Sequence, residues 1–502
     1  MHMCVELGIQ RKQIKDAKGK EKLVTEYLDS ELNDKALEAV LKIGYEQFKL
    51  LNGTFSSLLY GDSPSEPSRQ RTRALMHTIE EFFSEWIWKW DFDRLDIMCF
   101  TAVFNGVPVQ PILRSHYLRI HALDEAIKHQ FEQHISHVFV LNEGALVYRS
   151  PGLMIQDVCA LMKFVLKKVE KHTKAEKRKQ LDLELLQPPQ TKMSTVKQFT
   201  KSLSQSHILS YFSSGGSKST DTSSSTVSDS TLPSALDIPT APSSPQGSVV
   251  PEIHANQGSY LTGLVESVAI GMNGEERPVT KSDLVRVYIQ SGDQETEEQT
   301  RLAEYYLLIY KHKSNLVWSF LLPEEAASKA LLLDPMFYTN LEQFMYQEKL
   351  QDLTDIIREN IANVQEKSLN LGKNYKCFYY DNTTLNIKST MIDPRSTSSH
   401  PKERKAAIQV THDMLLQMLD VREDFERMPR TSEVYTRSTA NHWVAGNRLY
   451  NALSSSSDDL IKDEDYTEIY LIAAKKDTSL AEVEDTLKKM SSTLLETMHL
   501  EQ

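Results

Sequence analysis

Apolar positions fall into helical and strand periods along most of this chain. Leu37, Val40, Leu41, Gly44, Phe48 and Leu51 recur at helical spacing and predict a helix over 31–51 with one buried stripe. Asp29 or Ser30 can cap its start, and Asn52-Gly53 supplies its stop. Pro64 and Pro67 then mark a turn before a second helix, 69–90, carrying Phe82, Phe83, Trp86 and Trp90. Ahead of both, "CVELGIQ" (4–10) reads as a strand with no partner nearby in sequence, so the first domain is expected to begin in its middle. Residues 91–113 read as loop or extended chain, and 115–134 as a helix. "HVFVLNEGALVYRS" (137–150) is a hairpin around Asn142-Glu143-Gly144. A helix from 153 to about 172 follows, with Val158, Leu161, Met162, Val165 and Leu166 on one side.

The pattern breaks at about 174. From there to 257 Ser, Thr, Pro and Gly dominate and aromatics nearly vanish after Phe212, so a disordered insertion with one possible helix is expected. Strands return at 260–270 and 283–290, then a hairpin at 305–322 turning at Lys313-Ser314-Asn315. Helices cover 323–333 and 339–366. A second hairpin, 377–391, precedes a helix at 403–421, strands at 433–448 and 466–474, and a helix at 480–498. Hairpin, helix, strands, helix thus appears twice, and the first 90 residues match only its tail. The expectation is an α+β protein of small domains, each an antiparallel sheet with helices on its faces.

Charge and cysteines narrow the function. A formal charge of −12 argues against a general nucleic-acid binder. Cys4, Cys99, Cys159 and Cys377 are too scattered for a disulfide framework or a zinc site and fit a reducing compartment. No apolar run reaches bilayer length. In that setting Asn52-Gly53-Thr54 and Asn382-Thr383-Thr384, though they have the form of glycosylation acceptors, are read as turns.

No phosphate-loop, zinc-helix or nucleophile-elbow motif is present, and nothing suggests covalent catalysis. "GGSKST" (215–220) only superficially resembles a phosphate loop. His116, His121, His129, His134 and His137 do not place three ligands on one helix face and are read as solvated. No cofactor or metal is expected. Two stretches could bind something. Lys167, Lys168, Lys171, Lys174, Lys177, Arg178 and Lys179 form a basic run, either a solvated helix end or a patch for anionic lipid. Met193, Val196, Phe199 and Leu203 form an apolar stripe opposite Ser, Gln and Lys, the pattern of a helix lying in a membrane interface. The overlapping "QSHILSYF" matches a sliding-clamp ligand motif, short enough to arise by chance.

Three stretches carry a family resemblance: "VTEYLDSELNDKALEAVLKIGYEQFKLLNGTF", "NHWVAGNR" and "EIYLIAAKKDTSLAEVEDTLKKM". In order and spacing they resemble the Ccz subunit of the Mon–Ccz complex, the guanine-nucleotide exchange factor for the late-endosomal and vacuolar Rab GTPase. The resemblance implies tandem longin domains of β-β-α-β-β-β-α-α order. The chain would then divide into 1–90, the end of a first longin domain; 91–135, a connector and helix; 136–366, a second with its insertion at 174–257; and 367–502, a third. It implies a heterodimer with the Mon subunit, a Rab partner, and peripheral attachment to late endosome and vacuole membranes from the cytoplasm. Such a factor binds the nucleotide-free GTPase more tightly than the loaded one, so it needs no catalytic residue. With strands missing from the first domain, Phe48, Leu51, Phe82 and Trp86 are expected to be partly exposed and to favour association with a partner, and exchange is expected to be impaired. A non-exchanging longin scaffold is the alternative, and a nuclear sliding-clamp client a further one.

Overall fold

The structure is a computed structural model that describes residues 8–15, 21–28, 33–61, 68–87, 90, 96–132, 134–186, 258–270, 276–290, 302–348, 350–367, 375–391, 409–438, 440–450, 465–473 and 477–499. Two larger antiparallel sheets organise it, and the chain is α+β.

The chain starts with β1 (Gly8–Lys15) and β2 (Glu21–Leu28), an antiparallel pair in the register Gly8↔Leu28 to Lys15↔Glu21. The first strand therefore has a partner, contrary to the sequence expectation. "EKLVTEYL" mixes charge into its alternation and reads poorly as a strand. Three helices follow: α1 (Asp34–Asn52), α2 (Phe55–Tyr60) and α3 (Arg69–Trp86). Asn33, not Asp29 or Ser30, caps α1, its side chain accepting from the Ala36 amide at 2.9 Å. Gly53 ends α1 with φ +83°, a conformation that glycine adopts without a Cβ penalty. Thr54 then caps α2 through the Ser57 amide at 3.0 Å, so the Asn-Gly-Thr triplet is a helix stop followed by a helix start.

Residues 91–113, read as loop, contain α4 (Ile97–Phe104). Cys99, Phe100, Ala102 and Phe104 of its sequence IMCFTAVF are buried, and because its exposed position is the apolar Met98 and Thr101 is its sole polar residue, the helix has no amphipathic period to read. α5 (Arg114–Gln130) follows.

The first large sheet comprises β3 (His137–Asn142), β4 (Ala145–Arg149), β5 (Gly258–Tyr260), β8 (Val285–Gln290), β9 (Leu302–His312) and β10 (Leu316–Pro323). Its order is β4-β3-β10-β9-β5, with β8 also pairing with β9. Glu143 and Gly144, both at positive φ, make the two-residue turn between β3 and β4. A separate hairpin, β6 (Gly263–Ile270) and β7 (Glu276–Asp283), is inserted before β8. One face of the sheet packs on α5, α7 (Ala326–Leu333), α8 (Pro335–Gln347) and α9 (Leu350–Lys367), the other on α6 (Ile155–Leu186). α8 and α9 were read as one helix; Glu348 ends the first. α6 runs through the predicted start of the insertion at 174, and residues 187–257 lie outside the described ones.

The second large sheet has β11 (Tyr375–Asp381), β12 (Ile387–Ser389), β13 (Glu433–Arg437), β14 (Trp443–Tyr450) and β15 (Tyr466–Ala473), in the order β12-β11-β15-β14-β13. With β5 and β8, which pair with successive stretches of β9, counted as one position, both sheets run 2-1-5-4-3, so the repeat read from the sequence is present at the level of topology. The segment read as one strand over 433–448 is a hairpin, turned at Ser438–His442 without Gly or Pro. α10 (His412–Arg427) covers one face and α11 (Leu480–His499) the other. Alternation along β15 divides the cores: Tyr470 and Ile472 face α10 and α4, while Ile469 and Leu471 face α11.

Two features join the sheets. Val107 exchanges hydrogen bonds with Leu385 and Ile387 beside β12, at 2.6 and 3.0 Å, while Pro108 and Gln110 bond Leu146 of β4 at 2.8 and 2.9 Å. α1 is the second: Ala36, Val40 and Ile43 enter the core above the second sheet, and Leu50 enters the core under α6.

A candidate binding cleft and a basic helix face

α1, α3, α4 and α6 enclose a cleft of about 530 Å³. α1 contributes Gln47, Leu50 and Leu51; α3 and the residues after it contribute Phe82, Trp86 and Trp90; α4 contributes Met98. α6 contributes Lys163, Phe164, Leu166, Lys167 and Glu170. The walls are apolar because each helix turns the edge of its buried stripe toward the others. α1 and α3 meet closely at Gly44, where an added Cβ would lie 2.8 Å from Trp86 Cζ2. That approach aligns an aromatic series: Phe48–Phe82 at 5.4 Å, Phe82–Phe83 at 5.0 Å, Phe83–Trp86 at 5.6 Å and Trp86–Trp90 at 5.6 Å.

The residues expected to form an exposed partner surface sit differently. Phe48 is 0% and Trp86 2% exposed, so both are core. Only Leu51 and Phe82 remain partly accessible, at the cleft wall. The physical reason is that α1 packs on both sheets and α3 lies over it, so these side chains are covered by other elements of the chain.

The basic run occupies α6 beyond the cleft. Lys163, Lys167, Lys171, Lys174 and Arg178 succeed one another at three- and four-residue spacing and share one face, with Lys177 at its margin. Lys168 lies off that face and pairs with Asp283 at 2.9 Å; Lys174 pairs with Glu170 at 2.6 Å. Lys167, Lys171, Lys177 and Arg178 are exposed and form no ion pair among the described residues. The side chain of Lys179, and the whole of the Val196, Phe199 and Leu203 stripe, lie outside the described residues.

Sequence reading missed Lys163, Phe164 and Asn105. The basic run needed only to be followed one turn back from Lys167 to reach Lys163. Its ammonium donates to the Asn105 side-chain oxygen. Asn105 holds the left-handed position that ends α4 (φ 45°), and its backbone oxygen accepts from Cys159 Sγ at 3.2 Å.

The histidine reading also needs correction. His121 Nδ1 lies 2.9 Å from the Tyr148 hydroxyl, and burial pushes the His137 pKa down, so neither is a solvated side chain. His121, Asp124 and Glu125 bring donor atoms together, but Asp124 Oδ2 already accepts from Tyr148 (2.7 Å), Ser150 (2.7 Å) and Lys128 (3.0 Å). Lys128 supplies the positive charge there. This network pins α5 to β4.

Fold and cleft together define an α+β protein with two sheets of one topology and an amphipathic cleft opening onto a cationic helix. No family model matches the chain. Its similarity to curated proteins nonetheless extends along nearly its whole length. It is 22% identical over 494 residues to the vacuolar fusion protein CCZ1 homologue of Nematostella vectensis, covering 98% of this chain and 79% of that protein. The corresponding protein of Xenopus tropicalis is 22% identical over 472 residues, 94% and 75% of the two chains. That of Danio rerio is 20% identical over 502 residues, 98% and 78%. Similarity so extended supports the family resemblance carried by the three stretches quoted above. Among the described residues no helix is long and apolar enough to cross a membrane.

Proposed function

We propose that this chain acts in vacuolar fusion as the Ccz-type subunit of a heterodimeric guanine-nucleotide exchange factor. Its partner would be a Mon subunit, and its target a late-endosomal or vacuolar Rab GTPase. The observation that carries the reading is similarity over 98% of the chain to a protein named for vacuolar fusion. The two sheets add support. Each follows a hairpin, helix, strands and helix, as the longin order does; the second has three strands after its first helix, and the first has β5, β8, β9 and β10 with the β6–β7 hairpin inserted. Exchange would work by differential binding: the heterodimer holds the nucleotide-free GTPase more tightly and so lowers the barrier to nucleotide loss. The β1–β2 hairpin, with both edges unpaired among the described residues, is a suitable element for strand addition by a partner. Burial of Phe48 and Trp86 removes them as an exposed partner surface; the expectation of impaired exchange rests on the incomplete first longin domain and is left to the release assay.

The test is release of a fluorescent GDP analogue from the Rab. The co-purified heterodimer should accelerate release, and this chain alone should not. A stable heterodimer that leaves release at its intrinsic rate would favour the non-exchanging scaffold. The exposed cations of α6 suit an anionic membrane, at about 1 kcal/mol per basic residue near the surface. Changing Lys167, Lys171, Lys177 and Arg178 together to Gln should therefore reduce flotation with phosphatidylserine vesicles at least tenfold and leave heterodimer formation intact. Unchanged flotation would remove this face from the membrane contact.

A further inference from the structure

The cleft between α1, α3 and α6 holds polar groups that its own walls do not answer. Lys163 is half-buried, and its ammonium meets the neutral amide of Asn105 and no carboxylate among the described residues. A cation in partly apolar surroundings is costly unless an anion accompanies it. Lys167, one turn on, stands at the mouth without an ion pair. The Trp90 indole nitrogen is buried and has no hydrogen-bond partner among the described residues. Buried donors are almost always satisfied, so this one is an unexplained polar group beside the cleft. The acid at the mouth, Glu170, is engaged by Lys174 at 2.6 Å, which leaves the local balance positive. Around these groups the lining is aliphatic and aromatic, and about 530 Å³ lies within the usual size of small-molecule pockets.

We propose that this cleft binds one molecule of a single-chain anionic amphiphile. Its alkyl chain would lie against Leu51, Phe82, Trp86 and Phe164, and its head group would meet Lys163 and Lys167. Charge complementarity selects the anion: an uncharged chain of the same length would fill the space and leave Lys163 unanswered. A carboxylate or a phosphate monoester has the required chemistry. Binding of a dispersed monomer needs no membrane and no GTPase, so this site stands apart from the exchange reading.

The test titrates the full-length chain with laurate, dodecyl phosphate and 1-dodecanol below micelle formation. Tryptophan fluorescence reports on Trp86 and Trp90, and calorimetry gives the stoichiometry. At least one anion should bind one-to-one and about tenfold or more tighter than the alcohol, as expected for a charge-assisted head-group contact. The tighter of the two anions identifies a fatty acid or a lipid phosphate as the source. Lys163→Met should weaken the anion about tenfold and leave the alcohol unchanged. Leu51→Trp, which fills the cleft, should weaken all three. Absence of saturable binding, alcohol binding as tight as both anions, or anion affinity undiminished in Lys163→Met would overturn the proposal. Should either variant fail to fold, the wild-type comparison of anion with alcohol decides alone. Failure here with nucleotide release intact counts against the cleft only; the converse counts against exchange only.

Discussion

Gly44 sets how closely α1 and α3 approach. Trp86 is held by Phe83 and Trp90 and cannot turn aside from a new side chain at 2.8 Å. Gly44→Val should cost about 1–3 kcal/mol, the usual penalty for overpacking, and thermal denaturation would register it as a lower midpoint. Glu468 is a second such position. It is fully buried, accepts from Arg448 Nε at 3.0 Å and from the Tyr470 hydroxyl at 2.9 Å, and lies 3.7 Å from Arg422 Nε. Glu468→Leu would strand two largely buried guanidiniums, and a loss of about 3–5 kcal/mol is expected in chemical denaturation. Three desolvated histidines contribute to the response to acid. Burial pushes the pKa values of His137, His312 and His442 below the ordinary range. His442 is buried, and its ring bonds Ser438 at 2.8 Å through Nδ1 and Gln417 at 3.0 Å through Nε2. Because the folded pKa values are depressed, the stability they contribute is full above about pH 6.5 and is lost as pH falls through the folded values. Denaturant midpoints should therefore drop between about pH 7 and about pH 5, and His442→Gln should flatten part of that decline.

At the scale of elements, legibility followed periodicity. α1 and α11 were readable because one face of each is buried and the other is not, so their apolar spacing declares both type and boundary; β3–β4, buried on both faces, were readable as two short apolar runs around the Asn142-Glu143-Gly144 turn. α4 was not, since its exposed position is filled by Met98 and no polar face marks the period. β2 and β7 were not, since Lys22, Glu26, Arg277 and Lys281 interrupt strands that carry few large apolar residues. The basic part of the candidate site could be found in the run from Lys167 to Arg178. Its apolar part could not, because whether Leu51, Phe82 and Trp86 line a wall, fill a core or face solvent depends on where α6 and α4 pack. The same limit explains why Phe48 and Trp86 were read as surface: an amphipathic stripe shows that something covers it without showing what.

For the molecule as a whole, the consequence lies in how the two sheets are tied. Residues 107–110 bond the outer strands β4 and β12 at once, which covers two edges that would otherwise be open to other chains. Arg422 of α10 adds a donor to the Val103 carbonyl at 3.2 Å and stacks 4.3 Å from Phe104, so α4 is held to the second sheet just before that crossing. α1 reaches both cores. Coupling through so many buried contacts should make the sheets unfold together. Trp318 lies in the first and Trp443 in the second, and their exposure should follow one transition with the calorimetric trace. Val107→Pro removes the donor to the Leu385 carbonyl, 2.6 Å away, and disrupts the pairing at both edges. The variant should show two calorimetric transitions, with Trp318 and Trp443 reporting different midpoints when each is left as the sole tryptophan near a sheet. If Val107→Pro lowers a single transition without splitting it, then α1 and the Arg422 contacts alone couple the sheets, and the crossing segment serves only to cover their edges.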